Sequence, residues 1–393
     1  MPESMPTYFV LSFTFLALLV GIIIGRRHGE NEKKARGCDL SSDYFEGLNY
    51  LLNEQTSQAI DVFVGMLDVA EETVDTHIAL GNLYRQRGEV EQAIKIHQLI
   101  IAKPSLTASK KNQALYELAR DYMKAGLLDR AESLFQELLI KQSHVISALE
   151  NLLVIFQQEK DWSTAITIAK KLEAATGKSL AVNVSHYYCE IAEQNLQEGN
   201  YKDAAHVLNK ALGTDKSSVR ASIIEGRLHL EQKQYKLASR ALRRVEQQGL
   251  EFIPETLESL TECYRRMGRE DEIKNYLQHV LDKYHSITSV LSCAELLRKT
   301  DGDQAAAEFV ISHLRNKPSV RGLHYIIGIS LSFTTGIGRE NLLTLRELTQ
   351  ELLKNKPNYK CKQCGFEALS LHWQCPGCQT WGSINPIKGI EGE

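Results

Sequence analysis

Apolar side chains recur three and four residues apart through most of this chain, the spacing of one face of an α-helix, and glycines and prolines punctuate the runs. The stretch from Asp75 to Pro104 sets the pattern. It reads as two short helices around Arg87-Gly88, the first carrying Leu80, Gly81 and Tyr84 and the second Ala93, His97 and Ile100. Gly81 and Ala93 are small where the helices would face each other, so the backbones can approach, while Leu80 and Tyr84 fill the seam. One hairpin cannot bury such a seam alone, so stacked neighbours in the same phase are expected.

The phase does recur. With the small residue of the second helix as marker, the series is Ala59, Ala93, Ala131, Ala165, Ala204 and Ala238, then Ile273 and Ala306, at intervals of 34, 38, 34, 39, 34, 35 and 33 residues. Partners follow in phase, such as Gly47 and Tyr50 with Phe63, Leu118, Ala119 and Tyr122 with Phe135, Gly226 with Leu242, and Tyr264 with Leu277. This series resembles the tetratricopeptide repeat, whose period is about 34 residues. Asn195 and His229 stand where an aromatic residue is usual, and Ile273 replaces the small residue. Gly88, Gly126, Gly199, Gly268 and Gly302 fall inside hairpins and Pro104, Pro318 and Pro357 after them, where helices should stop. Ile326 to Arg339, with Gly328, Gly336 and Gly338, reads as one glycine-broken hairpin.

Two segments lie outside the periodic region. Thr7 to Ile24 is almost wholly apolar, and its 18 residues would span about 27 Å as a helix, close to the thickness of a bilayer core. A cleaved signal peptide is the competing reading, but Glu3 precedes the run, no Lys or Arg does, and no small-x-small cleavage site follows. Arg26, Arg27, Lys33, Lys34 and Arg36 lie just beyond, which by the positive-inside rule places the bulk of the chain on the cytoplasmic side. The organisation expected is an anchor over 1–25, a basic linker over 26–40, a helical solenoid of eight or nine hairpins over 41–356, and a small C-terminal module over 357–393.

That last module carries the sharpest local signal. Cys361-x-x-Cys364 and Cys375-x-x-Cys378 repeat one spacing ten residues apart, and two such turns supply a tetrahedral all-sulfur shell for one metal ion. Gly365 and Gly377 are expected to free the backbone to bend around the sulfurs. So short a module needs a staple, and metal binding can contribute on the order of 10 kcal/mol. Two disulfides would suit an oxidising compartment, whereas the scattered Cys38, Cys189, Cys263 and Cys293 look like reduced thiols. A thioredoxin-like redox pair would not need the second Cys-x-x-Cys. With Tyr359 and Phe366, the module resembles rubredoxin and the related zinc ribbons, which implies one iron or zinc ion at Cys361, Cys364, Cys375 and Cys378. Trp373, Trp381 and Phe366 are its shielding or contact aromatics.

A net charge of -3 offers no basic field for a phosphate backbone, which argues against nucleic acid as a partner. No HExxH, Walker A or GxSxG motif occurs, and His97 and His229 sit at packing positions, so no catalytic residue is assigned. First helices of tetratricopeptide hairpins line a concave face, which here would show Asn82, Arg85, Arg120 and Arg227 and would suit an acidic or extended peptide. Ordinary solvated polar positions are the alternative.

The apolar run ending in Gly25-Arg26-Arg27, the LGNLYRQRGEVEQAI repeat and YKCKQCGF with CPGC resemble, together and in that order, the lipopolysaccharide assembly protein B family. The resemblance implies a non-enzymatic adaptor at the inner membrane. It would regulate degradation by the FtsH protease of the deacetylase that commits precursors to lipid A, and gather other lipopolysaccharide synthesis or transport proteins. An electron-transfer protein with iron in the four-cysteine site, and a general assembly chaperone for membrane complexes, are the alternatives.

Overall fold

The computed structural model describes residues 73–390 and 392 except 285 and 355, together with 46, 47, 49, 50, 58 and 62. The anchor at 7–24, the basic linker at 26–40, and Ala59 and Phe63 of the first repeat lie outside the described residues. Among the described residues no helix is long and apolar enough to cross a membrane.

Two compact units divide after Gln158. The first contains α1 (Val74–Arg87), α2 (Val90–Ala102), α3 (Ala108–Lys124), α4 (Leu128–Ile140) and α5 (Val145–Gln158). Each of these helices packs on the next, and α3 also returns to α1, which is the contact pattern of stacked antiparallel hairpins. The second contains α6 (Trp162–Thr176), α7 (Ala181–Gln197), α8 (Tyr201–Thr214), α9 (Val219–Glu231), α10 (Tyr235–Arg243), the short α11 (Val245–Gln248), α12 (Pro254–Met267), α13 (Glu270–Lys283), α14 (Ile287–Asp301), α15 (Asp303–Asn316), α16 (Val320–Ser330) and α17 (Ile337–Lys354). A three-stranded antiparallel sheet ends it, β1 (Tyr359–Cys361), β2 (Glu367–Ala368) and β3 (Ile384–Pro386), in the order β2-β1-β3.

The alanine series explains the spacing between helices. Ala93, Ala131, Ala165, Ala204, Ala238 and Ala306 are all fully buried, each leaving room for a neighbouring helix to close in. Ile273, the exception, is also buried, in a cluster with Leu257, Leu260, Tyr264 and Leu277, so this hairpin fills the same seam with a larger side chain. In the first hairpin Gly81 lies against the imidazole of His97: a Cβ at position 81 would overlap that ring. Gly226 likewise makes room for Leu242.

Helix ends follow the punctuation. Gly88 takes a left-handed conformation (φ 86°) and its N–H bonds to the carbonyl of Arg85, closing α1. A lysine occupies the same left-handed position after α5 and after α9, Lys160 and Lys233, each with φ 58°. Between α16 and α17 the chain breaks at Leu331–Gly336, whereas Gly328 stays inside α16. Asp161, Ser286 and Ser319 cap α6, α14 and α16 through their side-chain oxygens.

A candidate metal centre built into the repeats

Two matching turns assemble the four sulfurs. In the first, the N–H of Cys361 donates to Phe366 O and the N–H of Gly365 to Cys361 O; in the second, Cys375 donates to Thr380 O and Gln379 to Cys375 O. Residue i+4 of each turn is left-handed, Gly365 at φ 78° and Gln379 at φ 56°. Gly377 is therefore not the second hinge. It provides closeness instead, since a Cβ there would lie 3.4 Å from Cys364 Sγ and 3.8 Å from Cys375 Sγ.

All four Sγ atoms lie within 4.8 Å of one another, with Cys361 to Cys378 at 3.7 Å and Cys364 to Cys375 at 3.5 Å. Sulfurs placed tetrahedrally about 2.3 Å from an ion are about 3.8 Å apart, so the arrangement fits one ion without rebuilding. Ser383 Oγ lies 3.3 Å from Cys361 Sγ and the N–H of Gln363 points at it from 3.4 Å. The Ser383 hydroxyl and the neighbouring backbone amides draw the Cys361 thiol well below its ordinary range, toward the thiolate that a metal requires. Four thiolates accept iron or zinc alike, and the ion would supply cross-linking of the two turns.

The ribbon is not a free tail. Trp381, 7% exposed, stacks on His186 of α7 (centroids 5.0 Å apart) and meets Tyr187 and Trp162 edge-on at 5.8 and 6.0 Å. The guanidinium of Arg220 on α9 lies 5.8 Å from the centre of the same ring and is held by Glu190 and Glu193, both at 2.7 Å. Trp373 packs on Phe252 at 5.6 Å and joins Leu371 against Val219 and Val245. Around this aromatic contact, Tyr359 Oη donates to Glu255 and Asn385 Nδ2 donates to Glu251 at 3.0 Å. Trp373 and Trp381 are thus contact aromatics, and what they contact is the chain's own helices. Burial, with Arg220 beside it, lowers His186 to about 3, so its ring is a neutral stacking partner.

Comparison with known proteins places these features together. Residues 359–386 match the rubredoxin metal binding domain family, and residues 76–107, 116–179 and 190–249 match tetratricopeptide repeat families. Lipopolysaccharide assembly protein B of Escherichia coli K12 is 37% identical over 388 residues, covering 98% of this chain and all of that one. The chain belongs to the lipopolysaccharide assembly protein B family. The Haemophilus influenzae member is 33% identical over 96% of this chain and 97% of its own. For this family member the four-cysteine cluster sits in a rubredoxin-like ribbon that can hold a metal ion, on a scaffold of tetratricopeptide hairpins.

The four polar residues expected on a binding face are placed unequally. Arg85 is buried: its guanidinium donates to Asp121 at 2.7 Å, Glu117 at 2.6 Å and Asn82 Oδ1 at 2.5 Å. His97 Nδ1 lies 2.5 Å from the other oxygen of Asp121, so one buried network ties α1, α2 and α3. Arg120 and Arg227 are the accessible pair, with side chains 43% and 53% exposed, each touching one glutamate, Glu117 and Glu193. What the sequence reading missed is Arg220. Its burial follows from the partners Glu190, Glu193 and Trp381, which lie about 30 and 160 residues away and share no local pattern with it.

Proposed function

We propose that this chain is a membrane-anchored adaptor in lipopolysaccharide synthesis, holding the FtsH protease and the lipid A pathway deacetylase together on the cytoplasmic side of the inner membrane. The observation that carries the reading is the match, over 98% of this chain, to proteins named for lipopolysaccharide assembly, on a fold whose repeats offer docking faces. The apolar run at 7–24 would be the tether. Confining adaptor and clients to one surface raises their effective concentration without any new contact. Cys361, Cys364, Cys375 and Cys378 would hold one iron or zinc ion whose role is to keep the ribbon folded against α7 and α9. Arg120 on the first unit, beside the Asn82–Arg85 network, and Arg227 on the second would each meet an acidic segment of a client.

Affinity capture of the full chain from detergent-solubilised membranes tests this. Protease and deacetylase should be recovered together, and Arg120→Glu with Arg227→Glu should deplete the deacetylase. Recovery of neither above the level of an unrelated anchored protein would overturn the reading, as would full rescue of a deletion strain by a chain lacking residues 1–25 at native abundance.

A further inference from the structure

A second feature of the fold lies away from the metal centre. Where the end of α13, the start of α14 and the end of α15 meet the C-terminal tail, they line a half-open cavity of about 750 Å³. That is within the roughly 300–1,000 Å³ of small-molecule sites. Its floor is apolar: Ile287 and Val290 belong to the core cluster of this region, and Leu314 packs beside them. Its rim carries Lys283, Lys317 and Lys388, and no acidic side chain is among the described lining residues.

The three cations differ in how far they are already engaged. Lys283 also reaches Glu246 at 2.9 Å, outside the cavity. Lys388 lies over the Tyr284 ring, 5.2 Å from its centre, and Lys317 makes no ion pair among the described residues. The tail that forms one wall is fixed by the Val320 N–H, which donates to Ile390 O at 2.9 Å. Two serine oxygens at the cavity are occupied as well, since Ser286 Oγ accepts from the Ser289 N–H at 3.0 Å and Ser319 Oγ from the Gly322 N–H at 3.4 Å.

We propose that this cavity binds an anionic amphiphile, a phosphate or carboxylate carried on a single alkyl chain, with the chain on the Ile287–Val290–Leu314 floor and the anion between Lys317 and Lys388. Both halves of the ligand are needed. A free anion would gain only screened attraction from exposed lysines, and an uncharged chain would crowd the ammonium groups without offering them a partner. A peptide backbone fits less well, because the Ser286 and Ser319 oxygens and the Val320 N–H are already used.

The test uses the full chain in lipid nanodiscs with a diazirine-bearing dodecyl phosphate, adducts being mapped by mass spectrometry. Labelling is expected on peptides covering residues 283–290 and 313–319. Excess dodecyl phosphate should suppress it by about tenfold, with dodecanol and inorganic phosphate ineffective. Lys317→Glu with Lys388→Glu should lower it to the same degree, and Lys317→Met with Lys388→Met in part, while helical circular dichroism and metal content stay at wild-type values. Labelling scattered over the chain, equal competition by dodecanol or by inorganic phosphate, or labelling unchanged in the charge-reversed protein would each overturn the proposal.

Discussion

At residue 379 a glutamine holds the left-handed conformation that Gly365 holds in the matching turn, and the two positions should therefore respond in opposite directions. A side chain in that region costs on the order of 1 kcal/mol relative to glycine. Gln379→Gly should slow metal loss to a chelator, and Gly365→Ala should speed it, each by several-fold. His186 gives a second prediction. Its folded value of about 3 lies below the ordinary 6.5, so the unfolded chain binds the proton more readily. The stability from the neutral ring is present in full above pH 6.5 and is lost as pH falls toward 3, at about 1.4 kcal/mol per unit. Melting temperatures between pH 7 and pH 5 at saturating metal should fall more steeply for the wild type than for His186→Gln. The cysteine spacing was legible in the sequence because ligand geometry acts over three residues. The roles of Gly377 and Gln379 were not, because which residue of a turn goes left-handed depends on hydrogen bonds closed by Phe366 and Thr380.

Among the helices, the alanine markers were readable for a local reason: a hairpin's two helices are adjacent in sequence, so the small residue and its partners keep a fixed offset. The offset says that position 81 must be small without saying what fills the space, and here it is the ring of His97. Arg85 was misleading in the same way. Its place on a first helix suggested a binding face, yet Glu117 and Asp121, one hairpin further on, draw it inward. Where the punctuation is irregular the structure shows what replaces it: Lys233 stands at φ 58° after α9, in the position Gly268 holds after α12 at φ 66°. Lys233→Gly should raise the stability of the α9–α10 hairpin by up to about 1 kcal/mol. Hydrogen exchange of the amides at the end of α9 would read the change as increased protection.

On the scale of the molecule, the least legible feature was the union of ribbon and repeats. Composition announced two modules, and only the three-dimensional path shows that the second completes the first. All three tryptophans of the chain, Trp162, Trp373 and Trp381, lie at that union, so intrinsic fluorescence reports it directly. Stripping the metal, or Cys361→Ser, should shift tryptophan emission to longer wavelength while leaving most helical circular dichroism in place, because the hairpins keep their own cores. It should also lower the melting temperature of the second unit, since Tyr187, Phe252 and Trp162 become wet. An unchanged emission maximum would show that docking does not need the ion. Asn385 meets Glu251 across 134 positions of sequence, and Trp381 meets Trp162 across a greater separation still. During synthesis the earlier helices leave the ribosome first and must wait with an aromatic floor uncovered until the last few dozen residues arrive. A message cut short, or a ribosome that stalls before the second Cys-x-x-Cys, would release a product that carries its own mark of incompleteness: a greasy surface in the middle of the chain, open to any quality-control factor that binds such surfaces.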